Sequence, residues 1–134
     1  MLKYLLDTNI LSELIKQPSG QLAQKIIKLN SSSYCTSIIV ACELRYGVYK
    51  KNSDVLKEKV EALLSNIIVE PLDENVDYYY ADLRVALEKK GEPISAHDML
   101  IASHALALNT YLITANEREF LRVPNLRVEN WLKS

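Results

Sequence analysis

Four segments of the chain place oxygen-bearing side chains directly after a predicted strand or in the early turns of a predicted helix. Asp7 and Asn116 each follow a short apolar run, Glu43 lies about a turn and a half into a predicted helix, and Asp98 lies in the first turn of another. Carboxylates that converge in a partly buried place repel one another unless a cation neutralises them. Oxygen ligands without nearby Cys or paired His favour Mg²⁺ or Mn²⁺ over Zn²⁺. Such a site suits metal-assisted hydrolysis of a phosphodiester bond.

Each of these residues also has a purely structural interpretation. Asp7 suits the N-cap of the first helix, and Ser95 with Asp98 matches a capping box. Asn116 has the same cap-like spacing to an acid three residues later. Glu43 differs, because it lies mid-helix in an apolar stretch, where a carboxylate without a partner is costly and a cap is excluded. Glu43 therefore favours the functional interpretation.

Hydrophobic periodicity predicts the elements that position these side chains. Apolar runs at residues 4–6, 34–36, 67–69, 111–114 and 126–128 predict strands, and helical spacing predicts helices over residues 9–16, 22–29, 38–50, 52–66, 73–90, 95–108 and 116–121. Helices between strands imply crossover connections. We therefore expect an α/β fold, with a mainly parallel sheet of four or five strands and helices on both faces. Ligands bind such sheets beyond the carboxyl ends of the strands, where the following helices begin.

Length and charge narrow the class of protein. The chain has 134 residues, which suits one domain, and a formal net charge of −1. This balance argues against a broad basic face for nucleic acid but leaves room for a small site. No apolar run is long enough to span a membrane, and residues 1–6 lack the features of a signal peptide. Cys35 and Cys42 lie in apolar segments, which predicts two buried, reduced thiols in a cytoplasmic protein.

Four ordered motifs together resemble a known family. Residues 5–10 hold a strand end followed by Asp-Thr-Asn, and residues 41–47 hold a glutamate followed by an aromatic residue and Gly. Residues 91–105 hold a third acidic segment, and residues 112–120 a Thr-x-Asn followed by Phe. The chain resembles the PIN-domain ribonucleases, specifically the VapC toxins of type II toxin–antitoxin pairs. The resemblance covers residues 1–134 as a single PIN domain, and residues 122–131 resemble the tail of the subgroup that cuts initiator tRNA.

The resemblance implies a metal-dependent endoribonuclease and assigns roles to its residues. Asp7, Glu43 and Asp98 match the family's acidic triad, the catalytic residues and ligands of Mg²⁺ or Mn²⁺. Glu43 either ligates the metal or orients its water. The residues that would orient the site or substrate are Thr8, Asn9, Thr114 and Asn116. Asn116 stands where some family members carry a fourth Asp, and because it adds no charge it argues against a permanently occupied second metal site.

Partners follow from the same resemblance. It implies a VapB-like antitoxin whose tail occupies the active-site groove, an RNA substrate, and a homodimer. It also implies binding to operator DNA only indirectly, through the antitoxin, and no membrane. The Tyr78-Tyr79-Tyr80 triplet with Leu83 suits a dimer face, base stacking or packing of its own helix. Basic residues near the motifs that could line the groove are Arg45, Lys50, Lys51, Lys89, Lys90, Arg118 and Arg122.

Two other classes of function compete with the nuclease. One is an α/β phosphate-binding signalling or phosphatase-like domain that uses Asp7 as a phosphoryl acceptor. Asp7-x-Asn9 lacks the second Asp that such phosphatases need, and no receiver-type Lys follows the strand ending at Thr114. The other is a non-catalytic binding module whose acids only cap helices. Glu43 argues against both, since neither needs an acid in the middle of that helix.

Overall fold

Five short strands form one parallel sheet in a computed structural model that describes residues 1–73 and 75–133. The strands are β1 (Tyr4–Leu6), β2 (Tyr34–Ser37), β3 (Ile68–Glu70), β4 (Tyr111–Ile113) and β5 (Val128–Glu129). Their order across the sheet is β3-β2-β1-β4-β5, and each neighbouring pair is parallel. This confirms the predicted parallel sheet and fixes the number of its strands.

Helices connect the strands. They are α1 (Thr8–Lys16), α2 (Gln21–Ile27), α3 (Ile38–Lys51), α4 (Asp54–Ser65), α5 (Val76–Lys90), α6 (Ala96–Leu108) and α7 (Glu117–Phe120). The chain runs outward from β1 to β3 on one side, then returns through α5 and α6 to β4 on the other side of β1. The direction of winding thus changes at β1. In open parallel sheets the crevice beyond the carboxyl end of such a strand is the usual ligand site.

Helices cover the central strands on both faces, as predicted. Leu5 and Leu6 of β1 are both fully buried, and so are Leu112 and Ile113 of β4. Successive side chains of a strand point to opposite faces, so burial of both residues requires cover on each side. These side chains belong to one contiguous hydrophobic core.

Local hydrogen bonds explain the helix boundaries. Ser95 caps α6, since its Oγ accepts the backbone N–H of Asp98 at 3.2 Å. Gly91 ends α5 with a φ of +65°, the left-handed conformation that favours glycine. The predicted helix 73–90 begins later, at Val76, and Glu74 within that prediction lies outside the described residues.

Two predictions from the sequence need correction. The last strand is Val128–Glu129 rather than 126–128, because the N–H of Leu126 donates to the carbonyl of Val123 in a turn. Cys35 is buried, but Cys42 is exposed, because it lies on the side of α3 that faces away from the core. Within residues 1–73 and 75–133, none of the helices is both long and apolar enough to cross a bilayer.

Candidate active site

Asp7 occupies the first position after the central strand. Its backbone N–H donates to the carbonyl of Ile113 at 2.9 Å, which ties the end of β1 to β4. Its side chain caps α1, with Oδ1 accepting the N–H of Thr8 at 2.8 Å. The residue is only 4% exposed. The structural interpretation of Asp7 is therefore correct, and it leaves a nearly buried carboxylate at the sheet's carboxyl edge.

Thr114 connects three of the predicted site residues. Its hydroxyl donates to Oδ2 of Asp7 at 2.8 Å. Oγ1 of Thr114 also accepts hydrogen bonds from the side-chain amide of Asn9 at 3.4 Å and from the backbone N–H of Asn116 at 3.0 Å. A hydroxyl offers one donor and two acceptor lone pairs, so this one is fully used. Asn9 also accepts the backbone N–H of Ala115 at 3.0 Å, which closes the loop after β4 onto α1.

Glu43 is held at the same edge by α1. Oε1 of Glu43 accepts the hydroxyl of Thr8 at 3.1 Å, across a sequence separation of 35 residues. Ser37, the last residue of β2, caps α3 because its Oγ accepts the N–H of Ile39, so the first turns of α3 lie at the carboxyl edge of the sheet. An acid is therefore tolerated in this apolar stretch of α3, because Glu43 has a hydroxyl partner and faces the site.

Glu119 is a further acid near the site, although its spacing from Asn116 in the sequence predicts only a helix cap. Asn116 donates its side-chain amide to Oε2 of Glu119 at 3.3 Å, and the carboxyl group of Glu119 contacts that of Asp98. Asn116 therefore positions an acid instead of being one. The spacing of Asn116 and Glu119 is visible in the sequence, but only the fold shows that Glu119 meets the carboxyl group of Asp98.

The pKa values of three carboxyl groups are raised, chiefly because these groups are buried. Burial raises the pKa of Asp7, against hydrogen bonds from Thr114 and Thr8 that lower it. Burial also raises the pKa of Glu43, and the charge of Asp7 adds to the effect. Burial, the contact with Glu119 and the charge of Asp7 raise the pKa of Asp98 to about 6.

One groove of about 500 Å³ brings the predicted site together. Its lining includes Asp7, Thr8, Asn9, Glu43, Asp98 and Asn116. Of the predicted site residues, Thr114 lies outside this lining, fully buried behind Asp7. Lys16 is a cation that also lines the groove.

The donor set of the groove fits a hard divalent cation. No group of three or more His, Cys, Asp or Glu side chains within residues 1–73 and 75–133 has a geometry that could hold a metal ion. Mg²⁺, however, is usually held by only one or two carboxylates and keeps several waters. Asp7 and Asp98 would supply such a pair, and the charge of Asp7 contributes to the raised pKa of Asp98, a repulsion that a cation would offset.

Comparison with known proteins gives the family. The model of the PIN domain matches residues 4–126. Ribonuclease VapC2 of Rickettsia felis is 40% identical over 97% of this chain and 98% of its own length. The tRNA(fMet)-specific endonuclease VapC of Salmonella typhimurium is 34% identical over 98% of this chain and 99% of its own length.

A solved structure agrees with these relatives. In the crystal structure of VapBC2 from Rickettsia felis bound to a DNA fragment from their promoter, one chain matches with a TM-score of 0.90 and 38% identity. The match covers 97% of this chain and 99% of that one. The chain therefore belongs to the PIN-domain family and, within it, to the group of VapC ribonucleases.

Proposed function

We propose that the chain, as a single PIN domain over residues 1–134, is a Mg²⁺-dependent endoribonuclease toxin that a VapB-like antitoxin neutralises. Mn²⁺ would serve in place of Mg²⁺, since both prefer oxygen ligands. The observation that best supports the proposal is the groove itself. Asp7, Glu43 and Asp98 come from three different elements, line the same groove and all have raised pKa values.

Asp7 and Asp98 would be the metal ligands. When bound there, a divalent cation would lower the pKa of water and offset the charge that develops on the phosphate. Thr114 holds Oδ2 of Asp7 in place, and the N–H of Thr8 holds Oδ1. Asp7 thus presents its remaining lone pairs in a fixed direction, a condition for a metal site with few protein ligands.

Glu43 would assist these two metal ligands. The hydroxyl of Thr8 occupies one position on Oε1 of Glu43, which leaves the carboxylate free to ligate the metal or to orient a water. Glu119 adds negative charge next to Asp98, although Asn116 takes up part of its hydrogen-bonding capacity. The groove is lined by the acids Asp7, Glu13, Glu43 and Asp98, and Glu119 would add a carboxyl group in contact with Asp98, while Asn116 stands where some family members carry Asp.

The substrate and partners follow from the relatives. One relative is a tRNA(fMet)-specific endonuclease, and another is seen in a VapBC complex with promoter DNA. We infer initiator tRNA as the substrate and a homodimer as the active form. Operator DNA would be bound indirectly through the antitoxin. We infer a cytoplasmic location from the inferred RNA substrate and antitoxin.

Cleavage by purified protein tests the proposal. Wild type and the Asp7→Asn variant are incubated with initiator tRNA in MgCl₂, in MnCl₂ and in EDTA. We expect the wild type to cut the RNA with either metal and not in EDTA, and Asp7→Asn to be inactive although folded. Cleavage that persists in EDTA, or that is as fast in Asp7→Asn as in wild type, would contradict it.

A further inference from the structure

We propose that Tyr46 on α3 is a stacking platform for an RNA base next to the scissile phosphate, with Lys50 beside it for the backbone. The inference rests on the proposed RNA cleavage and names a contact to the substrate outside the acidic groove. Tyr46 is 67% exposed, a large fraction for an aromatic side chain. An exposed ring offers a face on which any base can stack.

The position of Tyr46 relative to the acids is the first argument. It lies three residues after Glu43 on α3, and residues at this helical spacing have Cβ atoms about 5–6 Å apart. A nucleotide held at the acids would therefore have its neighbour within reach of this ring. Gly47, the next residue, adds no side chain, and a Cβ built there meets nothing within 4 Å. The helix surface next to the ring is therefore open at Gly47.

A second cavity lies next to the acidic groove. It has a volume of about 260 Å³, shares Thr8, Lys16 and Glu43 with that groove, and is otherwise lined mainly by apolar side chains of α1, α3 and α4. Tyr46 and Lys50 line neither cavity and lie on the adjoining exposed surface of α3. The stacking surface is therefore outside both cavities, one helical turn from Glu43.

Charge is the second argument and selects RNA as the occupant. The Lys50 ammonium lies 5.9 Å from the centre of the Tyr46 ring, and that of Lys57 lies 4.9 Å from the centre of the Tyr49 ring. Lys51 follows at the end of the same helix. Exposed aromatic rings interleaved with lysines are the usual means of binding single-stranded nucleic acid, because rings stack bases and ammonium groups meet phosphates.

The exposed tyrosines of α5 provide the contrast. Tyr78 is 75% exposed and lines a wide depression of about 780 Å³, but the carboxylates of Asp77 and Asp82 line the same depression. Among the described residues, the lining of this depression includes no Lys or Arg, so it offers no cation to a phosphate. The exposed tyrosines of α3 differ from those of α5 in lying beside lysines and on the same helix as Glu43.

Single-turnover cleavage of initiator tRNA tests the proposal. The half-saturating protein concentration and the maximal rate are measured for wild type, Tyr46→Leu, Tyr46→Trp and the control Tyr78→Leu. We expect Tyr46→Leu to raise the half-saturating concentration about 5- to 150-fold, the loss of one stacked base, with little change in maximal rate. Tyr46→Trp should keep wild-type behaviour because it keeps a ring, and Tyr78→Leu should match wild type.

An abasic scan separates stacking from an indirect effect. Single abasic nucleotides are placed around the cleavage site of the tRNA. One position should weaken binding by the wild type but have little further effect in Tyr46→Leu, because both changes remove the same contact. Additive losses at every position would contradict direct stacking.

The remaining outcomes are distinct. If the wild type and Tyr46→Leu both cut the RNA with the same half-saturating concentration, then Tyr46 does not stack on a base, and the proposed function stands. If Tyr46→Leu alters only the oligomeric state or the affinity for antitoxin, the surface is a protein contact, and the proposal is overturned. If the wild type neither binds nor cuts RNA, the proposed function itself fails, and the stacking fails with it.

Discussion

At the scale of single residues, the hydroxyl of Thr114 determines how Asp7 is presented. It donates to Asp7 and accepts hydrogen bonds from Asn9 and Asn116, and it is fully buried. Buried polar groups that lose a partner are costly, about 1–3 kcal/mol each. The residues that hold a metal ligand in place typically contribute about 10- to 100-fold to metal affinity or activity.

A change at Thr114 should therefore cost activity as well as stability. We expect Thr114→Val to slow cleavage about 10- to 100-fold, measured at saturating MgCl₂, because the carboxylate of Asp7 loses its donor. Thr114→Ser keeps the hydroxyl and is the matched control, so it should stay close to wild type. Full activity in Thr114→Val would show that this hydrogen bond does not position Asp7.

The raised pKa of Asp98 predicts a pH dependence of stability. The pKa of Asp98 is about 6 in the folded protein and close to 4 in an unfolded chain. A raised folded-state pKa stabilises the fold below the unfolded pKa, and this contribution is lost as the pH rises through about 6. In EDTA, Asp98→Asn should therefore gain stability over wild type as the pH rises from 4.5 to 7.5.

Thermal unfolding at a series of pH values checks this sign. The difference in Tm between Asp98→Asn and wild type should grow between pH 4.5 and 7.5 in EDTA. Saturating MgCl₂ should reduce or reverse it at pH 7.5, because the cation neutralises the wild-type carboxylate. A difference that shrinks as the pH rises would show that Asp98 is not destabilised by its surroundings.

The site was only partly predictable from residue types. Asp7, Glu43 and Asp98 follow from strand ends and helix starts, because a parallel sheet brings those positions together. Glu119 does not follow, since its meeting with Asp98 depends on how the short helix α7 packs, and its spacing to Asn116 also suits a simple cap. Cys42 was wrongly expected to be buried, because an apolar local sequence does not say which side of α3 faces the core.

At the scale of elements, two glycines contribute to helix stability in opposite ways. Gly47 lies inside α3, where a Cβ would meet nothing within 4 Å, and Gly91 ends α5 at a φ of +65°. Alanine is better than glycine inside a helix by about 0.5–1 kcal/mol. In the left-handed conformation a side chain costs about 1–2 kcal/mol.

We expect the two substitutions to change stability in opposite directions. Gly47→Ala should raise the free energy of unfolding by about 0.5–1 kcal/mol, and Gly91→Ala should lower it by about 1–2 kcal/mol. Urea denaturation in EDTA measures both, and each variant is the control for the other. A loss of stability in Gly47→Ala would contradict this prediction, because it would mean that the added methyl group meets other atoms at the surface of α3.

Element types were easier to predict than their ends. Apolar runs and helical spacing located the strands and helices, and Ser95 and Gly91 marked where α6 begins and α5 ends. The last strand was misplaced because it has only two residues and pairs at the sheet edge, where the ladder to Leu112 and Ile113 determines its register. Such pairing is a tertiary property that a local pattern does not contain.

At the scale of the whole molecule, negative charge is concentrated in one place although the net charge is small. The net charge is −1, yet Asp7, Glu43, Asp98 and Glu119 gather at one end of the sheet. Arg45 does not offset them, because it pairs with Glu61 at 2.8 Å on the exposed side of α3. A divalent cation at the acids would reverse the sign of the local field where a phosphate must approach. The chain therefore needs no broad basic face to act on RNA.

Mapping RNA ends in cells shows whether these acids form a nuclease site. Total RNA is sequenced from its 5′ ends after brief induction of wild type or Asp7→Asn. We predict new ends at one position in initiator tRNA with the wild type and none with Asp7→Asn. The same new ends in both, or no new ends with a toxic wild type, would contradict it.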